Sequence, residues 1–206
     1  DDFNRPISIK SSWKYAKTSL TITYDENNSI SMLYEYPDIN MKEKVICTSD
    51  FNMMYIKSNN SEKSYDPETG KIITATYEYT KNGTNEKIKI TVNDLQLEND
   101  YQITSSPISI GYDGMSFDIP YNSNVELNAK DGLKIVYGDG STLKYNGNTK
   151  TLYQNDKSVE GIFNNKLFKN GKIDTSAQIF EDGKLYVNGE VSTGLYLYQN
   201  TLYNNG

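Results

Sequence analysis

Histidine is absent from this 206-residue chain, cysteine occurs once, at Cys47, and arginine once, at Arg5, beside 20 lysines. Without histidine, the commonest general base, the commonest metal ligand and the Ser-His-Asp and Cys-His nucleophile systems are all missing. A single cysteine excludes an intrachain disulfide, a four-ligand cysteine zinc cage and a CxxC redox pair. The lone arginine removes almost all bidentate contacts to phosphate or guanine, and Lys+Arg 21 against Asp+Glu 27 leave a formal net charge of −6. Nucleic acid is therefore not an expected partner. No run approaches the roughly 18 apolar residues that span a bilayer, and no signal-peptide core is present, so no membrane insertion is expected.

What is abundant is tyrosine, 18 residues, within a chain that is 36% apolar and 23% charged. That balance is sufficient for a buried core. Alternating apolar and polar residues rich in Ile, Val, Thr and Tyr, cut by Gly, Asn, Asp and Pro, predict short strands. They fall at 19–24, 29–36, 44–48, 53–57, 71–79, 86–92, 101–104, 108–112, 115–119, 125–128 and 133–137. Within 71–79, Ile73, Ala75, Tyr77 and Tyr79 share a face; within 86–92, Ile88, Ile90 and Val92 do. Asn82-Gly83 supplies a type I′ hairpin between those two strands, and Asp66-Pro67-Glu68-Thr69-Gly70 a second turn. Only 37–44 and 93–100 offer short helical periodicity. The pattern predicts an all-β fold in which residues 1–138 form an antiparallel β-sandwich, immunoglobulin-like or a jelly roll.

The pattern changes after Gly138. Residues 139–206 hold an imperfect repeat whose marker is a leucine-aromatic pair followed by a turn: Leu152-Tyr153, Leu167-Phe168, Leu185-Tyr186 and Leu202-Tyr203, with leucines 15, 18 and 17 residues apart. Between them lie secondary aromatic strands at Ile162-Phe163, Ile179-Phe180 and Leu195-Tyr196-Leu197-Tyr198. Each unit reads as two short strands joined by an Asn-Gly-type hairpin. A lone hairpin cannot bury its apolar face, so the units are expected to stack as a solenoid or meander. The final unit stops at its own turn, Asn205-Gly206, leaving an edge to be met by further repeats or another chain. The start at Asp1-Asp2 reads as a processed chain or an excised fragment.

The unit Gly183-Lys184-Leu185-Tyr186-Val187-Asn188-Gly189-Glu190-Val191-Ser192-Thr193-Gly194-Leu195 resembles the cell-wall-binding repeats of Gram-positive surface proteins, a group that includes choline- and glucan-binding types. The resemblance covers the C-terminal third. It implies stacked hairpins that hold ligand between aromatics of adjacent units. Tyr and Phe fill the positions where that family usually uses tryptophan; the only Trp here is Trp13. The resemblance thus transfers architecture better than the choline ligand.

The ligand-binding candidates are Tyr153, Phe163, Phe168, Phe180, Tyr186, Tyr196, Tyr198 and Tyr203, whose flat faces suit sugar rings. Their alternative role is to staple hairpins together. Asp113, Asp118 and Asp139 lie among glycines but lack dense calcium-ligand spacing and read as turn residues. Glu35, Glu78 and Glu126 stand out no more than solvated strand residues, so no catalytic residue, metal or cofactor is expected. Trp13 and Cys47 read as core. A Lys–Asn isopeptide crosslink could use Lys10, Lys14 or Lys17. The sequence leads to a non-catalytic extracellular protein of a cell or virion surface, binding a cell-wall or surface glycan. Its alternatives are a structural component, such as a phage tail or fibre protein or a filament subunit pairing through β edges, and a glycan-active enzyme.

Overall fold

A computed structural model describes residues 8–13, 16–25, 28–95, 100–176, 178–179 and 182–204. Among them the protein is all-β, with hairpin-linked antiparallel strands and no α-helix. The first strands are β1 Ser8–Trp13, β2 Ala16–Tyr24, β3 Ile30–Tyr36, β4 Met41–Cys47, β5 Met53–Lys57 and β6 Ser61–Tyr65. Next come β7 Ile72–Thr80, β8 Lys87–Leu95, β9 Tyr101–Ser105, β10 Ile108–Tyr112, β11 Met115–Asp118 and β12 Asn124–Asn128. Then follow β13 Gly132–Val136, β14 Thr142–Asn146, β15 Thr151–Gln154, β16 Lys157–Ser158, β17 Gly161–Phe163 and β18 Lys166–Lys169. The last six are β19 Lys172–Ile173, β20 Gln178–Ile179, β21 Leu185–Val187, β22 Glu190–Val191, β23 Leu195–Tyr198 and β24 Thr201–Asn204.

The chain divides into two compact units, Asp1–Gln102 with Tyr121–Ala129, and Ile103–Pro120 with Lys130–Gly206. In the first, β1 to β8 lie side by side in chain order, each antiparallel to the last, and β12 joins parallel to β8. An immunoglobulin-like arrangement requires strands to cross between two facing sheets; here each short turn returns the chain beside the strand it has just left. The connectivity is therefore a meander. One register row runs Ile22, Met32, Val45, Ile56, Lys63, Ala75, Val92 across β2 to β8. The adjacent row, on the opposite face, runs Thr21, Leu33, Lys44, Lys57, Glu62, Thr76, Thr91. The period of two thus separates an apolar face from a polar one.

Burial is deepest toward β8. Ala75, Ile88, Ile90, Val92 and Leu127 are fully enclosed, and Cys47 is buried in phase with Val45. Desolvation pushes the Cys47 thiol up, as expected of an inert core cysteine. One face assignment changes. A bulge shifts the β6–β7 register between Ser64 and Tyr65, so Ile72 turns inward and Ile73 is left exposed. A one-residue slip inverts the alternation, and Ile73 does not share the buried face of Ala75.

The turns follow local chemistry. In 66–70, the Gly70 N–H donates to the Asp66 carbonyl at 2.8 Å, while the Asp66 carboxylate accepts from the Glu68 N–H and the Thr69 hydroxyl. The 82–83 hairpin is longer than a two-residue I′ turn. Lys81 pairs with Glu86 across it, and of the two residues only Gly83 has positive φ. At 37–44 a single 3-10 turn, Pro37–Ile39, ends at left-handed Asn40, and strand β4 begins. At 93–100, residues 93–95 continue β8; 96–99 lie outside the described residues.

The second unit holds the order β11-β10-β9, the meander β13-β14-β15-β16, the sheet β17-β18-β22-β21-β20 with β19 beside β18, and the separate hairpin β23-β24. Its core includes Ile110, Phe117, Leu133, Ile135, Leu143, Tyr145 and Leu152.

Candidate functional site: the stacked hairpins and a tyrosine face

The repeat units are joined by a recurring set of backbone hydrogen bonds. The Leu152 N–H donates to the Gly171 carbonyl at 2.7 Å, and the Leu167 N–H donates to the Gly189 carbonyl at 2.7 Å. Three of the four marker leucines also accept, through their carbonyls, from the residue seven positions on: Val159 to Leu152, Asp174 to Leu167 and Ser192 to Leu185, at 2.9–3.0 Å. The turn of one hairpin thus sits on the leucine of the hairpin before it, and Leu152, Leu167 and Leu185 are buried.

The turns themselves are type I′ in sign, with both central residues at positive φ. This holds for Asn155-Asp156, Asn164-Asn165, Asn170-Gly171, Asn188-Gly189 and Gln199-Asn200. Glycine is used where the turn is seated. A Cβ on Gly171 would lie 2.7 Å from the Leu152 carbonyl oxygen, and one on Gly189 would lie 2.2 Å from Ile173 Cγ2. The Lys166–Glu190 ion pair at 3.3 Å adds a link between β18 and β22.

This stacking decides which candidate aromatics reach solvent. Phe168 and Tyr186 are each only 2% exposed. The Tyr186 hydroxyl donates to Asp182 at 2.9 Å, and burial with this carboxylate pushes its pKa up. Phe163 packs between Phe117 and Phe168, with ring centroids 6.2 and 6.3 Å away. Phe168 and Tyr186 are thus buried, and Phe163 is half-buried with ring contacts on two sides. Tyr153 is exposed on β15. Phe180 lies outside the described residues.

Three candidates remain together. In the β23–β24 hairpin, Tyr196 stands opposite Tyr203 and Tyr198 opposite Thr201. Cross-strand partners share a face, so Tyr196, Tyr198 and Tyr203 lie on one side of the ribbon. Tyr196 is 37% exposed and the other two are half-buried. Gln199 Nε2 donates to the Tyr198 hydroxyl at 3.2 Å. The opposite side carries Leu195, Leu197 and Leu202, 63–70% exposed. The Leu-Tyr alternation was visible in the sequence, but the greater exposure of its leucine side was not.

Asp113 and Asp139 act as turn and strut residues, whereas Asp118 lies in strand β11 opposite Ser109 and not in a turn. Asp113 accepts from the buried Tyr145 hydroxyl at 3.0 Å and pairs with Lys150. Asp139 accepts from the Ser141 N–H and hydroxyl, which hold its carboxyl below the usual range. Among the described residues no group of three metal-ligating side chains converges. Glu35 accepts from Lys42 at 2.8 Å, and that lysine lowers its pKa, opposite to the shift of a general acid. The sequence reading missed two polar clefts of the first unit, about 310 and 330 Å³, which share Glu78. The side chains of Trp13, Lys10 and Lys17, and the whole of Lys14, lie outside the described residues. The chain matches no family model, no curated protein and no solved structure.

Proposed function

We propose that this is a non-catalytic extracellular protein that binds a cell-wall or surface glycopolymer through the tyrosine face of its C-terminal hairpin. The observation that carries the reading is the register of β23 and β24, which brings Tyr196, Tyr198 and Tyr203 onto one accessible side. A phenol ring offers a flat apolar surface to the C–H face of a sugar and a hydroxyl to its polar rim. Each contact is weak, and repeated sugars along a polymer favour rebinding at the same platform. The resemblance of residues 183–195 to cell-wall-binding repeats supports the same ligand class. Compared with the sequence expectation, binding moves from slots between units to one exposed ribbon, because Phe163, Phe168 and Tyr186 are taken up by packing.

Co-sedimentation of the full chain with purified Gram-positive cell walls tests the proposal. The chain is expected to pellet with walls and to be released by soluble wall glycan. Tyr196→Ala with Tyr203→Ala is expected to abolish pelleting, whereas Tyr186→Phe retains it. Failure of the unaltered chain to pellet, or pelleting unaffected by the double change, overturns it.

A further inference from the structure

Asn-Gly pairs recur along this chain, at Asn82-Gly83, Asn146-Gly147, Asn170-Gly171, Asn188-Gly189 and Asn205-Gly206. In such a pair the glycine nitrogen can reach the asparagine side chain with no Cβ in the way. Closing that ring requires the peptide between the two residues to rotate until the nitrogen meets Cγ. Asn205-Gly206 lies outside the described residues, and the fold treats the other four differently.

At Asn170-Gly171 the Gly171 N–H donates to the Val159 carbonyl at 2.9 Å, and the Gly171 carbonyl accepts from the Leu152 N–H at 2.7 Å. At Asn188-Gly189 the glycine is buried, and its carbonyl accepts from the Leu167 N–H at 2.7 Å. Rotation at either site breaks a bond between hairpins. Asn146 is held through its side chain, whose Oδ1 accepts from the Thr149 N–H at 2.9 Å. Asn82-Gly83 has none of these restraints. Both residues are exposed, and neither makes a hydrogen bond among the described residues. Nothing lies within 4 Å of the position a Gly83 Cβ would take.

We propose that Asn82 is a site of spontaneous deamidation, with water as the co-reactant. The Gly83 nitrogen gives up its proton and attacks Cγ of Asn82; a C–N bond forms, ammonia leaves, and a five-membered succinimide results. Water then opens the ring at either carbonyl. Opening at the side-chain carbonyl leaves aspartate, and opening at the main-chain carbonyl leaves isoaspartate, which carries the backbone through one extra carbon. Either product adds a negative charge to a chain whose formal net charge is −6. The new carboxylate sits in the turn that the Lys81–Glu86 ion pair closes, and isoaspartate lengthens that turn between β7 and β8. Glycan binding plays no part in this chemistry.

The test ages the full chain in mildly alkaline buffer and reads the four described sites by peptide mass spectrometry, with electron-transfer fragmentation to tell isoaspartate from aspartate. Asn82 is expected to convert at least about tenfold faster than Asn146, Asn170 or Asn188, the factor by which one or two retained hydrogen bonds suppress opening. In denaturing urea, where all four pairs are free, the rates are expected to converge. Asn82→Gln, which would need a larger ring, is expected to abolish conversion of that peptide and leave the other three unchanged. Comparable rates at the four sites of the folded chain, faster conversion at another of them, or a lead at Asn82 that persists in urea overturns the proposal.

Discussion

Two glycines in nearly identical turns separate the cost of backbone conformation from the cost of stacking. Gly114 follows Asp113 at φ +74, and Gly171 follows Asn170 at φ +73; the preceding residues are both at φ 52. An alanine at either site takes the same left-handed strain, about 1–2 kcal/mol. At Gly114 nothing lies within 4 Å of the added Cβ, so the strain is the whole effect. At Gly171 the Cβ would lie 2.7 Å from the Leu152 carbonyl oxygen and 2.8 Å from Thr151 Cγ2. The carbonyl belongs to a strand backbone, Leu152 is fully buried and Thr151 nearly so, so neither can give way cheaply. Overpacking of this kind costs about 1–3 kcal/mol. Pushing the turn outward also stretches the Leu152-to-Gly171 hydrogen bond, worth about 0.5–1.5 kcal/mol. Gly171→Ala is therefore expected to destabilise by about 2–4 kcal/mol more than Gly114→Ala. Both glycines belong to the same compact unit, so urea titration of the two variants compares them directly, with midpoint and slope fitted together. Equal losses would refute the reasoning, because they would mean that the turn does not bear on the leucine beneath it.

Leu127→Ala, which empties a fully enclosed site in the first unit, is expected to cost about 2–5 kcal/mol by chemical denaturation. The Asp174 carboxylate accepts from the Ser176 N–H and hydroxyl and from Gln178, and these bonds lower its pKa. A depressed carboxylate stabilises the fold above its unfolded pKa and loses that contribution as pH falls, so Asp174→Asn is expected to flatten stability against pH below about 4. Tyr145 is shifted the other way, pushed up by burial and by the Asp113 carboxylate. Its contribution is complete below the ordinary tyrosine pKa near 10 and fades above it. Burial also raises Tyr186, so absorbance titration is expected to show several tyrosines resisting ionisation, and Tyr145→Phe to remove one of them.

Much of the fold was legible because turns and alternation are local. Strands β5 and β10 carry the limits that their patterns predict, and Ile88, Ile90 and Val92 are buried together as their spacing requires. Strand β6, with sequence SEKSY, escaped prediction because it has no apolar alternation; it is a strand because β5 and β7 flank it. The Ile72 inversion depends on a bulge against β6, a pairing that no single segment encodes. The Asn82-Gly83 dipeptide indicated a turn but not its length, which the Lys81–Glu86 pairing sets. For the candidate site, the four Leu-aromatic markers gave the hairpins and their order. Solvent access was not legible, because it depends on the turn of the next unit lying over the leucine of the last. Phe168 and Tyr186 carry the same marker as Tyr203, yet they are buried where Tyr203 is half-exposed.

The most direct test of the central claim is to follow the tyrosine ring resonances of the full chain by nuclear magnetic resonance while a purified cell-wall glycan fragment is added. Saturable shifts are expected at Tyr196, Tyr198 and Tyr203, with the buried rings of Tyr145 and Tyr186 unmoved. Shifts confined to other residues, or none at saturating glycan, would contradict it.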